Sequence, residues 1–228
     1  SGAGWQNPDM IAAGGSSLTT EMSMKRRLIW IVCLMVVQSF YFPLNRLLTG
    51  GVAPHLPLDE GIPLWPVWVL PYAAVTVWWY TAYLWAGWKM EVRLLRSFVL
   101  GAIFILLISQ VIFFTFPTYV IRPDLDHGGF WEFWLRMIYT NDKPYNAFPS
   151  LHVAITFLIS LFWGIWFPRT RWLQALVLAL VMCSTVFTKQ HYWLDLIGGL
   201  GMGVAGSLVS LWVWRKQAAP KPLSLQQH

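Results

Sequence analysis

The sequence predicts an all-α integral membrane protein, a bundle of six transmembrane helices. Only 11% of its 228 residues are charged and 57% are hydrophobic, whereas about 25% of the residues of a soluble domain are charged. Six apolar stretches also come close to or exceed the roughly 20 residues that cross a bilayer as a helix. They cover residues 28–48, 64–86, 95–117, 148–167, 172–188 and 191–214.

The six helices are expected to form one domain, residues 22–216. The first stretch follows Lys25, Arg26 and Arg27 but lacks a small-residue cleavage site, so it is interpreted as a permanent membrane anchor. Residues 1–21 are small, polar and aperiodic, which is typical of a disordered tail or a cloning remnant. Residues 217–228 are expected to be a disordered cytoplasmic tail.

The lysines and arginines predict the orientation in the membrane. When the loops are assigned alternately to two sides, eleven of the sixteen lie on the side of the N-terminus. Only Arg46, Arg122, Arg136, Lys143 and Lys189 lie on the other side. The positive-inside rule therefore places both termini in the cytoplasm, and the compact length favours the inner membrane of a bacterium or an archaeon.

Several other protein classes are disfavoured. Cys33 and Cys183 both lie inside apolar stretches, which indicates neither a disulfide framework nor a thiolate metal site. The net charge is +6, but no basic run with interleaved aromatic residues suggests binding to nucleic acid. The bilayer is the partner that the charges indicate.

The longest polar connection, residues 117–147, is predicted to lie on the outer face. It contains an aromatic-rich stretch at 131–139. This stretch is interpreted either as a short helix lying in the membrane interface or as a loop that covers the bundle.

Three polar features near helix ends have no simple structural explanation. They are Arg122-Pro123 after the third helix, the segment PSLH at 149–152, and the segment HYWLD at 191–195. Ionisable residues in or near spanning segments are costly and often functional. Alternation of the helices puts all three features on the outer face, where they can converge on one site.

The predicted site favours an anion. The amino ends of the fourth and sixth helices would present free N–H groups and the positive ends of two helix dipoles. Pro149 suits the first turn of a helix, with Ser150 beside it. The guanidinium of Arg122 matches the geometry of a phosphate group, and Lys189 is a further candidate for binding it.

The two histidines add acid–base chemistry to that anion site. His191 and Asp195 are four residues apart, on one face of a helix, so the carboxylate can orient the imidazole. His152 comes from a different helix and can act as a general acid on the same phosphorus. These residues predict phosphoryl transfer, with His152, His191 and Asp195 as catalytic groups.

This pattern resembles the type 2 phosphatidic acid phosphatase superfamily of membrane lipid phosphatases and phosphotransferases. Arg122-Pro123 is similar to the end of its first motif, the PSLH segment matches its second, and His191 with Asp195 matches the end of its third. The resemblance covers about residues 94–214.

Two positions depart from the motifs of the superfamily. Thr115 stands where the first motif has Lys, and Thr185 stands where the third has Arg. The run CSTVFTKQHYWLDLIGG, which begins at Cys183, is also similar to the inositol phosphorylceramide synthase and sphingomyelin synthase branch. Lys189 is a hypothetical replacement for one of the missing cations.

The resemblance implies a mechanism through a phosphohistidine, with no metal and no cofactor. His191, held by Asp195, would attack phosphorus, and His152 would protonate the leaving oxygen of the lipid. Arg122 and backbone N–H groups near Ser150 would stabilise the charge on the phosphoryl oxygens. The substrate would be a lipid phosphate or diphosphate on the non-cytoplasmic face.

Three alternatives stay open. Head-group transfer to an acceptor alcohol is close to hydrolysis, which is preferred because the chain is short and has no sizeable outer domain. A metal-dependent membrane hydrolase is the second alternative, since two His and one carboxylate are a common ligand set. The third is a transporter or scaffold that binds lipid phosphate without chemistry.

Overall fold

The computed structural model describes residues 22–125 and 128–218, and it confirms an all-α fold. Two isolated bridges are the only β-structure in the described residues. Short 3-10 turns at Pro66–Trp68 and Pro168–Thr170 lead into two of the helices. In chain order, the α-helices are α1 (Met24–Ser39), α2 (Tyr41–Leu47), α3 (Pro57–Glu60), α4 (Val69–Lys89), α5 (Val92–Thr115), α6 (Phe130–Asn141), α7 (Leu151–Trp166), α8 (Arg171–Phe187) and α9 (Trp193–Ala218).

Four helical segments are long and apolar enough to cross a membrane. They are Met24–Leu47, Val92–Thr115, Pro168–Phe187 and Trp193–Gln217. Helix α7 is strongly apolar but has only 16 residues, and α4 has 21 residues with four Trp and three Tyr among them. The count of six spanning helices therefore stays a prediction.

The structure describes the two predicted tails and the aromatic-rich stretch at 131–139 to different extents. The tail predicted over residues 1–21 lies outside the described residues, as does most of the tail predicted over 217–228. Gln217 and Ala218 belong to the last turns of α9 instead. The aromatic-rich stretch at 131–139 is helical, because α6 contains all of it.

Small residues let α5 and α9 pack closely against each other. A Cβ atom on Gly101 would lie 2.7 Å from the carbonyl oxygen of Gly206 and 1.8 Å from the hydroxyl of Ser210. Helix association in membranes relies on such close approach, since apolar contact alone offers little advantage over contact with lipid. The glycines therefore set the spacing of this helix pair.

The segment 142–149, between α6 and α7, is held by side chains from several elements. The Asn45 side chain, on α2, donates to the Lys143 carbonyl at 2.9 Å and the Tyr145 carbonyl at 3.0 Å, and it accepts from the Lys143 amide at 2.8 Å. The Thr118 hydroxyl accepts from the Phe148 amide at 2.8 Å. We call this segment the 142–149 loop.

Replacement of Gly101 by Ala is expected to destabilise the fold by about 1–3 kcal/mol, because the added methyl group must displace backbone on the facing helix. The measurement is the unfolding temperature of the purified protein in detergent. Gly201→Ala is the matched control, since nothing lies within 4 Å of a Cβ at that position of α9. Equal unfolding temperatures for the two variants would contradict the role given to Gly101.

Candidate active site

A cavity of about 700 Å³ opens among α2, α4, α6 and α7. Its walls are mainly apolar and aromatic, and His152 and His191 both line it. The size is in the range of cavities that hold a small organic ligand or part of a larger one. The two predicted catalytic histidines therefore share one cavity.

His152 is the second residue of α7, and aromatic rings surround its imidazole. The ring of Tyr72 lies 4.5 Å and that of Trp79 5.3 Å from it, centroid to centroid. The Trp79 indole N–H donates to the Thr156 hydroxyl at 3.0 Å, which fixes the indole. The ring of His191 is 5.6 Å from that of His152, so one phosphorus atom can be reached by both imidazoles.

His191 lies just before a helix and not on one, because α9 begins at Trp193. Asp195 still reaches it, with Oδ2 at 3.4 Å from Nδ1 of His191. The same oxygen accepts from the Tyr192 amide at 2.8 Å, and Asp195 is fully buried. The carboxylate faces Nδ1, which leaves Nε2 of His191 as the nitrogen available for chemistry.

The amino ends of α7 and α9 touch directly. The Ser150 amide donates to the Asp195 carbonyl at 3.0 Å. A Cβ on Gly199 would lie 2.6 Å from the Ser150 carbonyl oxygen, and one on Gly198 would lie 2.4 Å from the Phe148 ring. The glycine pair after Asp195 therefore allows the backbone approach that brings His152 and His191 together.

The structure corrects the details of the predicted anion site at α7. Ser150, not Pro149, is the N-cap, and its hydroxyl accepts from the Val153 amide at 3.5 Å. Because the Ser150 amide is bonded to Asp195, it is not available to a phosphate. The amides of Leu151 and His152 have no partner in the described part of the chain, so they are the donors left at this helix end.

The amino end of α9 is already neutralised by two carboxylates. Asp195 accepts from the Tyr192 amide, and Asp59 accepts from the Trp193 amide at 2.9 Å. An anion placed there would meet two negative charges. Only one of the two predicted helix ends, that of α7, is therefore suited to phosphate.

Arg122 lies close to His191 in the fold but binds the protein itself. Its guanidinium donates to the Asp142 carbonyl at 2.6 Å, to the Lys143 carbonyl at 3.4 Å and to the Gln190 side-chain oxygen. It also stacks over the Tyr139 ring at 4.5 Å. Arg122 thus connects the 142–149 loop to the residue before His191, and it does not appear among the described residues that line the cavity.

Lys189 is directed to a different part of the fold. Its ammonium donates to the Ile62 carbonyl at 2.6 Å and the Asp59 carbonyl at 3.3 Å, and burial lowers the pKa of this amine. It does not line the cavity either, as far as the described residues show. The structure therefore gives Lys189 no contact with the histidines and does not support its use as a replacement cation.

Thr115 and Thr185, which stand where the superfamily motifs have Lys and Arg, are not among the described residues that line the cavity. The Thr185 hydroxyl donates to the Met182 carbonyl at 2.8 Å, and the Thr115 hydroxyl donates to the Val111 carbonyl at the same distance. Both bonds stay within a helix. Neither threonine takes over the role of a missing cation.

Sequence reasoning missed two polar residues of the 142–149 loop that line the cavity, Asp142 and Asn146. The Tyr41 hydroxyl donates to Asp142 Oδ1 at 2.7 Å and the Tyr72 hydroxyl to Oδ2 at 3.2 Å. Burial raises the pKa of the Asp142 carboxyl. The two hydrogen bonds and the charge of Arg122 act in the opposite direction and lower it in part. The one signal available was their position in a polar run directly before the PSLH segment.

Comparison with known families decides how this site is classified. The sequence model described as the PAP2 superfamily matches residues 65–209, more than half of the chain. The chain belongs to the PAP2 superfamily. The matched range contains all six predicted site residues, from Arg122 to Asp195. Searches of curated proteins and of solved structures found no match.

Membership of the PAP2 superfamily confirms the resemblance to type 2 phosphatidic acid phosphatases. Members are phosphatases and phosphotransferases, which supports an enzyme of that type. The four apolar helices agree with a membrane protein. The similarity to the inositol phosphorylceramide synthase and sphingomyelin synthase branch stays a prediction.

Asp195→Asn is expected to lower the rate of phosphate release from a lipid phosphate by about 100-fold, because an amide no longer stabilises the orientation and charge of the His191 ring. The rate is measured below the unfolding temperature of the variant. Asp59→Asn is the control, since Asp59 binds the same helix end but has no contact with His191. Loss of activity in both variants, or in neither, would contradict the role of Asp195.

Proposed function

We propose that the protein cleaves the phosphate of a lipid phosphate or diphosphate through a phosphohistidine on His191. The observation that carries the proposal is the pair of imidazoles 5.6 Å apart in one apolar cavity, with Asp195 behind His191. Superfamily membership supports this class of reaction. Lipid identity and the phosphohistidine belong to the proposal.

In the first step, Nε2 of His191 attacks phosphorus, and a P–N bond forms as the P–O bond to the lipid breaks. The bound phosphate anion favours the imidazolium form of His152, which gives its proton to the departing lipid oxygen. The negative charge that develops on the phosphoryl oxygens faces the amides of Leu151 and His152 at the positive end of the α7 dipole. Asp195 stabilises the charge that His191 gains.

In the second step, water or an acceptor alcohol attacks the phosphohistidine. His152, now neutral, takes the proton of the attacking O–H group as a new P–O bond forms and the P–N bond breaks. From a lipid phosphate, water releases inorganic phosphate and an alcohol yields a phosphomonoester. From a phosphodiester lipid, water releases the phosphorylated head group and an alcohol yields a phosphodiester. This step is the only difference between a phosphatase and a transferase at this site.

The surroundings of the site suit an amphiphilic substrate. Aromatic residues of α6 line the cavity, and Phe130, Phe133 and Trp134 expose about half or more of their surface. Such a helix, apolar on its free side, is typical of one that lies in a membrane interface. A lipid chain can then occupy the apolar walls while its phosphate meets the histidines.

Metal independence is part of the proposal and is open to a direct test. In residues 22–125 and 128–218, no group of three or more His, Cys, Asp and Glu side chains is arranged to hold a metal ion. The Asp195 carboxylate is bonded to a backbone amide in addition to facing His191. The alternative of a metal-dependent hydrolase predicts loss of activity on chelation.

His191→Ala is expected to abolish phosphate release from polyprenyl, diacylglycerol and ceramide phosphates, because it removes the nucleophile. Wild-type release is expected to persist in EDTA. His55→Ala is the control, since His55 is exposed and packs on the outside of Tyr192 at a ring distance of 5.2 Å. The measurement is phosphate and product analysis on purified protein.

The possible outcomes separate the alternatives. An unchanged rate in His191→Ala would overturn the phosphohistidine, and loss of wild-type activity in EDTA would favour the metal-dependent hydrolase. Phosphate ester cleaved only when an acceptor alcohol is supplied would favour head-group transfer. Lipid that binds but stays intact would favour a transporter or scaffold.

The charge distribution supports an active site on the outer face, with both termini in the cytoplasm. Lys143 lies on the histidine side of the bundle and Arg169 on the opposite side, and both are exposed. In a background without Cys33 and Cys183, Lys143→Cys is expected to react with a membrane-impermeant maleimide added to intact cells. Arg169→Cys is expected to react only after the cells are opened. The reverse pattern would invert the orientation.

A further inference from the structure

Two polar side chains face the cavity without a part in the mechanism above. Asp142 and Asn146 both belong to the 142–149 loop and line the same cavity as the histidines. Tyr72 links them to the site, because its hydroxyl bonds Asp142 and its ring lies 4.5 Å from His152. These two residues are therefore in position to contact a bound substrate.

Asn146 has a buried side-chain amide that forms no hydrogen bond with the described part of the protein. Its exposed fraction is 3%, and neither Nδ2 nor Oδ1 has a hydrogen-bond partner among the described residues. Its φ of 61° lies in the left-handed region, which Asn adopts more readily than most residues. Unpaired buried polar groups are costly and strained residues concentrate at ligand sites, so this amide points to a ligand.

Asp142 limits which functional groups the ligand can have at this position. Each carboxylate oxygen accepts one tyrosine hydroxyl, at 2.7 and 3.2 Å, and keeps further lone-pair capacity. Burial raises the pKa of this carboxyl, but the two tyrosine hydroxyls and the charge of Arg122 favour its ionised form. The ionised carboxylate has no proton to donate to a phosphoryl oxygen and repels its charge. The group that meets Asp142 must therefore offer a hydrogen-bond donor.

A hydroxyl group can form a hydrogen bond with each of the two side chains. It can donate to Asp142 and accept from Nδ2 of Asn146. A quaternary ammonium offers no donor. A primary ammonium can donate to Asp142 and to Oδ1 of Asn146, but it offers no acceptor for Nδ2, whereas a hydroxyl can both donate and accept. The oxygens of a phosphate dianion or of a phosphodiester offer no donor, which leaves the phosphate to the histidines and the amino end of α7.

We propose that Asp142 and Asn146 form a subsite for a hydroxyl group of the substrate, beside the phosphate that His191 attacks. This inference rests on the proposed function and specifies it. The hydroxyl comes either from the head group of a phosphodiester lipid or from the acceptor alcohol of the second step. In the acceptor case, the acceptor carries at least two hydroxyl groups: one stays in the subsite, while the other gives its proton to His152, its oxygen bonds phosphorus, and the P–N bond to His191 breaks.

Two assays distinguish the sources of the hydroxyl. The first compares cleavage of phosphatidylglycerol with that of phosphatidylcholine of the same acyl chains. The second supplies phosphatidic acid with glycerol and compares glycerol phosphate formed with inorganic phosphate released. We expect at least about a tenfold preference for phosphatidylglycerol, or capture of the phosphoryl group by glycerol in competition with water, from one matched pair of hydrogen bonds.

The variants then test the residues. Asn146→Gly removes the amide and tolerates the left-handed backbone, and it is expected to bring the preference close to one. Asp142→Asn keeps the size of the side chain and is expected to reduce the preference as well. Asn141→Gly is the matched control and is expected to keep it, because Asn141 also lines the cavity but is exposed and bonded to the Met137 carbonyl.

The outcomes separate this inference from the proposed function. Wild-type protein that cleaves these lipids through His191 without preference in either assay, or with a preference that Asn146→Gly keeps, would overturn the subsite alone. If no lipid is cleaved, the unfolding temperature is compared with phosphatidylglycerol, phosphatidylcholine or glycerol present. A stabilisation by a hydroxyl compound that Asn146→Gly removes would support the subsite, and its absence would overturn it.

Discussion

The hydrogen bond from the Ser150 amide to the Asp195 carbonyl, at 3.0 Å, is the contact on which the site depends. It joins the amino ends of α7 and α9 and so sets the distance between His152 and His191. Two glycines after Asp195 allow this approach, because a side chain at either position would meet the backbone at Ser150 or the ring of Phe148. The geometry of the imidazoles follows from backbone packing.

Most charged groups around the site are already paired with other groups of the protein. Two carboxylates neutralise the amino end of α9, and the two nearby cations, Arg122 and Lys189, donate to backbone carbonyls and an amide side chain. These pairings hold loops in place in surroundings with few other hydrogen-bond partners. What remains for a phosphate group is the amino end of α7 and the imidazoles, which is why the proposed mechanism rests on His152 and His191.

The cavity joins this polar end to an apolar interior. Tyr41 and Tyr72 contribute hydroxyl groups toward the 142–149 loop and apolar ring surface toward the bundle. Aromatic residues suit such a boundary, since one part of each ring system is apolar and the other is polar. A lipid needs both environments, and the fold places them within one cavity.

The sequence by itself determined the all-α class and the superfamily, and it singled out the two histidines proposed as catalytic, because each of these depends on short-range patterns. Apolar runs of spanning length predict helices, and the spacing of PSLH and HYWLD places three chemical groups at helix ends. The start of α9 was predicted two residues early, yet Asp195 still reaches His191 by folding back over the first turn.

Only the tertiary structure decided which partners the remaining polar groups take. The sequence shows that Lys189 and Arg122 are cations, but it does not show that both donate hydrogen bonds to backbone carbonyls distant in the chain. Asp142 and Asn146 belong to no motif, and they become part of the cavity because Asn45 and Thr118 hold their loop there. The physical reason is that hydrogen bonds between distant segments depend on packing, which a local pattern does not encode.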